Sequence, residues 1–296
     1  MNTTQDAKKR DYSAISPSAK SLVLLKGITN IPYARQTAEA FSAPATYHID
    51  LNNNDPAFWK RVVHFEIRYW SVDQLLSSIA VQNILELSSG YSFRGLEMIS
   101  RKEVHYIDTD LPEVINRKKE LLLDLKQEVA SNVGTLNTIP LNALDTQQFM
   151  NVVDSFPEGP IIIVNEGLLM YLDTGEKEKL CGIIHGVLKQ RGGYWITADV
   201  YVKSTLARLN EHNDDSLADL VEAQRIEENM FESFDAAEVF FKKAGFAVVK
   251  EAIVDLSLIS SIPYLLKNAT EAELTEMKSS TKKIQATWLL KVESSS

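Results

Sequence analysis

Acidic and amide side chains recur where apolar runs end. Glu86 lies within Ile84-Leu85-Glu86-Leu87, which breaks at Ser88-Ser89-Gly90. Asp108 and Asp110 close the run Val104 to Ile107. Asn142 and Asp145 follow Thr135 to Leu141, and Asn165 and Glu166 follow Ile161-Ile162-Ile163-Val164. Asp108 comes about 20 residues after Glu86, the offset at which a nucleotide-binding βαβ unit sets a carboxylate on a ribose diol. A small-residue turn lets the backbone approach a nucleoside, and the diol needs an acceptor at the next strand tip. Of a three-glycine dinucleotide fingerprint only Gly90 and Gly95 are present, and no Lys follows in Walker spacing. Acidic tips of this kind suit a phosphate-free, cationic nucleoside better than a triphosphate.

S-adenosylmethionine is the commonest such ligand on this scaffold, and a nicotinamide cofactor is disfavoured by the missing fingerprint. For most single tips the plain alternative is a polar residue that starts a loop. Glu166 stands apart: it follows a buried run and precedes the apolar stretch Gly167 to Leu172, where an unpartnered carboxylate would be costly. His64 and Arg68 lie four apart on one helix face, which by itself reads as an exposed pair. Lys20 reads the same way. Tyr33, Tyr69, Tyr171 and Tyr201 read as core or rim, and Cys181 as a small buried hydrophobe.

The elements that must position these groups can be read from periodicity. Helical spacing marks Ser18 to Lys26, Ala57 to Ile79, Phe93 to Ile99, Pro112 to about Val129, the stretch after Asp173, and Ala236 to Ala244. Strands are expected at Ile84–Leu87, Val104–Ile107, Thr135–Leu141, Ile161–Val164, Tyr194–Val200, Phe246–Val254 and Ala286–Val292, with a weak signal at Ala45 to Ile49. Strands alternating with helices, then two late strands, predict an α/β doubly wound, mostly parallel seven-stranded sheet with an antiparallel edge. Residues 1–78 are expected to form a helical cap. Residues 79–296 would form the core, interrupted by an acidic lid at about 201–234.

Composition sets further bounds. The 296 residues are 45% hydrophobic and carry a net charge of -9, which argues against a nucleic-acid or anionic membrane surface. No window approaches a membrane span, the N-terminus lacks a secretory core, and Cys181 is the single cysteine, so a cytoplasmic address is expected. The five histidines are scattered, which leaves a metal site without local support.

Glu166-Gly167-Leu168-Leu169-Met170-Tyr171-Leu172 and Asp110-Leu111-Pro112-Glu113-Val114 resemble motifs of the leucine carboxyl methyltransferase family, which also holds bacterial polyketide and small-molecule O-methyltransferases. Ser16 to Lys20, Ile31 to Ala34 and Ile67 to Asp73 add support, and the resemblance runs from about Ser16 to Val292. It implies a class I S-adenosylmethionine fold. It also implies that Lys20 and Arg68 hold the cofactor carboxylate and that Gly90 and its neighbours pass under the methionine part; Glu86 and Ser88 are counted with them as cofactor-binding candidates. Asp110, with Asp108 nearby, would take the ribose; Asn142 and Ala143 would flank the adenine; Glu166 would meet the methionine amino group. Ser88 stands where the family has Gly, Ser92 where it has Asp, and Asn142 where Asp is common. The expected activity is O-methyl transfer to a carboxylate or acidic hydroxyl of a small molecule, with cofactor binding without chemistry as the alternative. Tyr33, His64 and Tyr201 are the candidate acceptor contacts, and His64 is the nearest base should the acceptor need one. Homo-oligomerisation is left open.

Overall fold

The computed structural model describes residues 16–43, 45–47, 50–126, 133–203, 226–272, 275, 283 and 285–293, with side chains from residue 21 onward. Helices α1 (Ser16–Lys26), α2 (Ala34–Ser42) and α3 (Pro56–Ser77) come first. The start of α3 follows from its sequence: the Asp55 carboxylate accepts from the N–H groups of Ala57 and Phe58, and Pro56 occupies the first turn. Strands and helices then alternate through β1 (Asn83–Leu87), α4 (Arg94–Arg101), β2 (His105–Asp110), α5 (Pro112–Leu125), β3 (Thr135–Pro140), α6 (Thr146–Val153), β4 (Ile161–Asn165), α7 (Thr174–Arg191) and β5 (Gly193–Tyr201). The chain continues with α8 (Phe234–Lys243), β6 (Phe246–Glu251), α9 (Ile262–Asn268) and β7 (Gln285–Val292).

The seven strands form one sheet in the order β3-β2-β1-β4-β5-β7-β6. β1 to β5 pair in parallel, and β7 runs antiparallel to both β5 and β6. The antiparallel strand is therefore the last in the chain, inserted inside β6 rather than placed at the edge. A final strand arriving late can slot between two existing strands without a crossover helix. The strand signal at Ala45 to Ile49 yields no strand at residues 45–47, while residues 48 and 49 lie outside the described residues.

β1 and β4 are buried along their whole length, as apolar central parallel strands should be. Their side chains alternate between two cores. Leu85, Leu87, Ile161 and Ile163 join Trp195, α6, α7 and α8 on one face. Ile84, Ile162, Val164 and Ile196 join α3, α4 and α5 on the other. α3 serves two layers. Its first half packs Trp59, Val62 and Val63 against Ile259 and Leu265, and its second half sends Val72, Leu75 and Leu76 into the sheet core. A division near residue 78 thus falls after a helix shared by the N-terminal layer and the sheet.

Chain progression reverses between β1 and β4, where Leu87 pairs with Asn165. That crevice, outside the carboxyl ends of the strands, is where α/β sheets of this type bind ligands. Of the expected lid, residues 204–225 lie outside the described residues. Its stems are tied together: Val202 bridges Phe231, the Phe231 N–H donates to the Tyr201 carbonyl at 3.0 Å, and the Lys203 N–H donates to the Phe231 carbonyl at 2.9 Å.

Candidate functional site

The turn after β4 is locked from below. Asn165 is fully buried, accepting from Trp195 Nε1 at 2.7 Å and donating to Asp199 Oδ2 at 2.6 Å. Asp199 then accepts three consecutive backbone N–H groups, those of Gly167 at 2.6 Å, Leu168 at 2.6 Å and Leu169 at 3.0 Å. Gly167 takes φ 84, a left-handed conformation that suits a residue without Cβ. The turn lifts the Glu166 carboxylate off the sheet and into a cluster of cations.

Lys26 Nζ donates to Glu166 Oε1 at 2.6 Å and Arg68 Nε to the same oxygen at 3.2 Å, while Arg94 Nη2 donates to Oε2 at 2.8 Å. The side chains are 12% (Lys26), 3% (Arg68), 0% (Arg94) and 6% (Glu166) exposed. Burial alone would raise the Glu166 carboxyl, yet the Lys26, Arg68 and Arg94 cations together hold it well below the usual carboxylate range. Burial lowers the Lys26 ammonium, opposed by Glu166. The Arg68 guanidinium stays above its ordinary value because Tyr201, Glu166 and Asp199 outweigh its burial.

Arg94 joins three elements. Nε reaches Asp73 Oδ1 of α3 at 2.6 Å, Nη1 reaches Glu86 Oε1 of β1 at 2.6 Å, and its guanidinium lies 4.2 Å from the Tyr69 ring centroid. The other Glu86 oxygen accepts from the Tyr106 hydroxyl. Glu86 was expected among the ligand contacts. Both of its oxygens are instead engaged inside the framework, because a buried carboxylate on a central strand must be paired where it sits. Asp108, expected near the ribose, is likewise held inside the framework. It is fully buried and pairs with Lys118 Nζ at 2.9 Å. Burial pushes its carboxyl up to about 6 despite that partner. Lys118 also donates to Ser89 Oγ at 2.9 Å, so it ties the turn to β2.

Ser88 and Gly90 both take φ 50. Ser88 thus holds the left-handed conformation that the family's glycine would supply, at a steric cost. The Gly90 N–H donates to Asp110 Oδ2 at 2.8 Å, and Asp110 Oδ1 accepts from the Leu111 N–H at 2.7 Å. A Cβ built on Gly90 would meet nothing within 4 Å, which leaves this face of the turn open. Asn142 Oδ1 accepts from the Leu144 N–H at 3.0 Å, and Ala143 beside it is half-buried. Asp145 is a helix cap, accepting from Gln148 at the start of α6.

His64 Nε2 lies 2.8 Å from the Tyr201 hydroxyl, which accepts from Arg68 Nη1 at 3.1 Å. The Tyr201 hydroxyl thus links Arg68 to His64, and which of Tyr201 and His64 donates across their contact follows the imidazole tautomer. Burial, then Arg68, pushes His64 down to about 3, and burial pushes Tyr201 up to about 12. Both are neutral near pH 7. Tyr33 begins α2 in a left-handed conformation of φ 61, its ring edge-on to Phe93 with centroids 6.5 Å apart.

Lys20 lies in α1 with its side chain outside the described residues, and Lys26 of the same helix is the lysine that reaches Glu166. Sequence reasoning passed over Lys26 because a lysine in the last turn of a helix complements the macrodipole without further purpose. Arg94 carried a readable signal. It sits between Phe93 and Leu96 in the buried stripe of α4, a charge inside an apolar register. No group of His, Cys, Asp and Glu able to hold a metal ion occurs among the described residues. Nor is any described helix long and apolar enough to cross a membrane.

Among solved structures, the chain is similar to "A Pericyclic Reaction enzyme" at 10% identity, covering 88% of this chain and 53% of that one with a TM-score of 0.44. It is similar to the mitomycin 7-O-methyltransferase MmcR at 9% identity, covering 94% and 67% with a TM-score of 0.46. A third is an O-methyltransferase family protein from Burkholderia thailandensis, at 15% identity, covering 81% and 60% with a TM-score of 0.45. The chain spans about half the length of the first of these. Among curated proteins, none matches it in sequence. Residues 4–185 match the family described as "Leucine carboxyl methyltransferase", a span that takes in the Glu166 turn, Asp110, the Ser88–Gly90 turn and both cation-bearing N-terminal helices. The chain belongs to the leucine carboxyl methyltransferase family.

Proposed function

We propose that the chain is an S-adenosylmethionine-dependent O-methyltransferase acting on a carboxylate or acidic hydroxyl of a small molecule. One observation carries the reading: at the switch point Lys26 and Arg68 share a single oxygen of Glu166, the charge complement of a zwitterionic amino acid. The donor set fits the cofactor. Lys26 and Arg68 would hold its carboxylate, Glu166 its ammonium and Asp110 its ribose, while Asn142 and Ala143 would flank the adenine. The open face at Gly90 leaves room for the backbone approach such a ligand requires. The residues near Gly90 carry no phosphate cradle, in keeping with a nucleoside.

When bound, the cofactor supplies an electrophilic methyl group on a sulfonium. The chain's own residues align and exclude water, worth up to about 7–11 kcal/mol in well-oriented systems. His64 and Tyr201 bind each other and Arg68, and neither is poised as a strong base at neutral pH. An acceptor that is already ionised, as a carboxylate of reference pKa about 4 would be, needs no base. That favours a carboxylate over a neutral alcohol. The Ser88 and Asn142 departures motivate the alternative of binding without chemistry; against it, Ser88 takes φ 50, the backbone conformation a glycine would adopt there.

The test is transfer of labelled methyl from S-adenosylmethionine to panels of carboxylic acids and of phenols. Base-labile product on the acid panel is expected. Cofactor binding with no transfer to either panel would instead support the non-catalytic alternative.

A further inference from the structure

The guanidinium of Arg94 is fully buried and ends in three carboxylates from three elements: Asp73 on α3, Glu86 on β1 and Glu166 after β4. Having no exposed surface, it cannot touch a ligand in the crevice. Its contact to Glu166 is nevertheless specific, because Nη2 takes Oε2 at 2.8 Å and Lys26 and Arg68 take Oε1. The guanidinium fork is planar, so anchoring Nε on Asp73 and Nη1 on Glu86 fixes where Nη2 points. Nη2 also donates to the Tyr69 carbonyl at 3.3 Å, and the Tyr69 ring stacks on the guanidinium, which closes off alternative rotamers.

We propose that Arg94 is a positioning residue for the amino-acid part of the cofactor: it pins Oε2 of Glu166 so that Oε1 stays fixed beside Lys26 and Arg68, where the cofactor's ammonium and carboxylate would meet the three groups. The inference rests on the cofactor reading above. It has a signature that a merely structural role lacks. A general loosening of the fold would weaken every ligand of the crevice alike. Loss of Glu166 positioning weakens only ligands that carry the methionine amino group.

The experiment compares S-adenosylhomocysteine with 5′-methylthioadenosine, which keeps the nucleoside and lacks the amino-acid part, by calorimetry on wild type, Arg94→Lys, Glu166→Gln and the double variant. Lys preserves the charge and loses the fork. Arg94→Lys is expected to weaken S-adenosylhomocysteine about tenfold and leave 5′-methylthioadenosine within about twofold. In the Glu166→Gln background it is expected to add little, since contacting residues that act as a unit are not additive. Equal weakening of both ligands, or full additivity with Glu166→Gln, overturns the proposal. Should Arg94→Lys fail to fold, Asp73→Asn loosens the far arm of the same fork at a part-exposed position and carries the same ligand-selective expectation at smaller size. Failure of wild type to bind S-adenosylhomocysteine would instead refute the cofactor reading, a distinct result.

Discussion

At the residue scale, the site is built from groups held where an isolated residue would not stay. Ser88 adopts φ 50 without being glycine. A left-handed L-residue costs roughly 1–2 kcal/mol, and glycine returns part of that as entropy. Ser88→Gly is therefore expected to stabilise the fold by about 0.5–1 kcal/mol, read as a raised urea midpoint; a lowered midpoint would show that the hydroxyl matters more than the strain. His64 makes a second prediction. Burial, reinforced by Arg68, depresses it from 6.5 to about 3, so the unfolded chain binds a proton there that the folded chain refuses. Its contribution is present above pH 6.5 and is lost as pH falls toward 3. Asp108, raised to about 6, acts in the opposite sense between about 4 and 6, so the comparison must be with a variant rather than with wild type alone. Between pH 7 and 5 wild type should lose about 2 kcal/mol more than His64→Gln by urea unfolding. Parallel pH profiles would refute a buried neutral imidazole. Sequence reasoning singled out Glu166 because a charge between a buried strand and an apolar run has few bland explanations, and it named Asp110 through the family resemblance. It could not tell that Glu86 and Asp108 point into the framework, because alternation gives the face of a strand and not the partner waiting there.

At the element scale, α3 is the part that brings the N-terminal helices to the sheet. Its Glu66, fully buried, accepts from the backbone N–H of Ser260 at 2.8 Å and of Ser261 at 2.9 Å, and from both hydroxyls, at 2.7 and 2.6 Å. Gln74 one face further along holds Ile253 through its backbone, accepting from its N–H at 2.8 Å. These two clasps hold down a loop whose Leu256 and Leu258 are exposed. Removing a buried acceptor leaves its donors unpaired at about 1–3 kcal/mol. Glu66→Ala should therefore speed chymotryptic cleavage after Leu256 or Leu258 in the folded protein, followed by mass spectrometry. Unchanged cleavage would mean that the loop is held by its apolar contacts alone. The clasp was invisible in the sequence, since Glu66 and Ser260 are distant in the chain and neither belongs to a motif.

At the scale of the whole molecule, the strand and helix rhythm from β1 to β5 was legible because buried parallel strands are short apolar runs and the helices between them keep their period. The insertion of β7 between β5 and β6 was not, because strand order depends on which edge remains open when the last strand arrives. Among the described residues, α1, α3, β2 and the turn after β4 bring Lys26, Arg68, Asp110 and Glu166 to the β1/β4 reversal, with Arg94 of α4 buried behind Glu166. The account stands on that convergence serving a zwitterionic amino acid attached to a nucleoside. Calorimetry of wild type with S-adenosylhomocysteine and with 5′-methylthioadenosine tests it most directly. Charge-assisted bonds to a carboxylate and an ammonium, each about 1.5–3 kcal/mol, predict that the first binds at least about a hundredfold more tightly. Equal affinity for the two, or binding of neither, would contradict it.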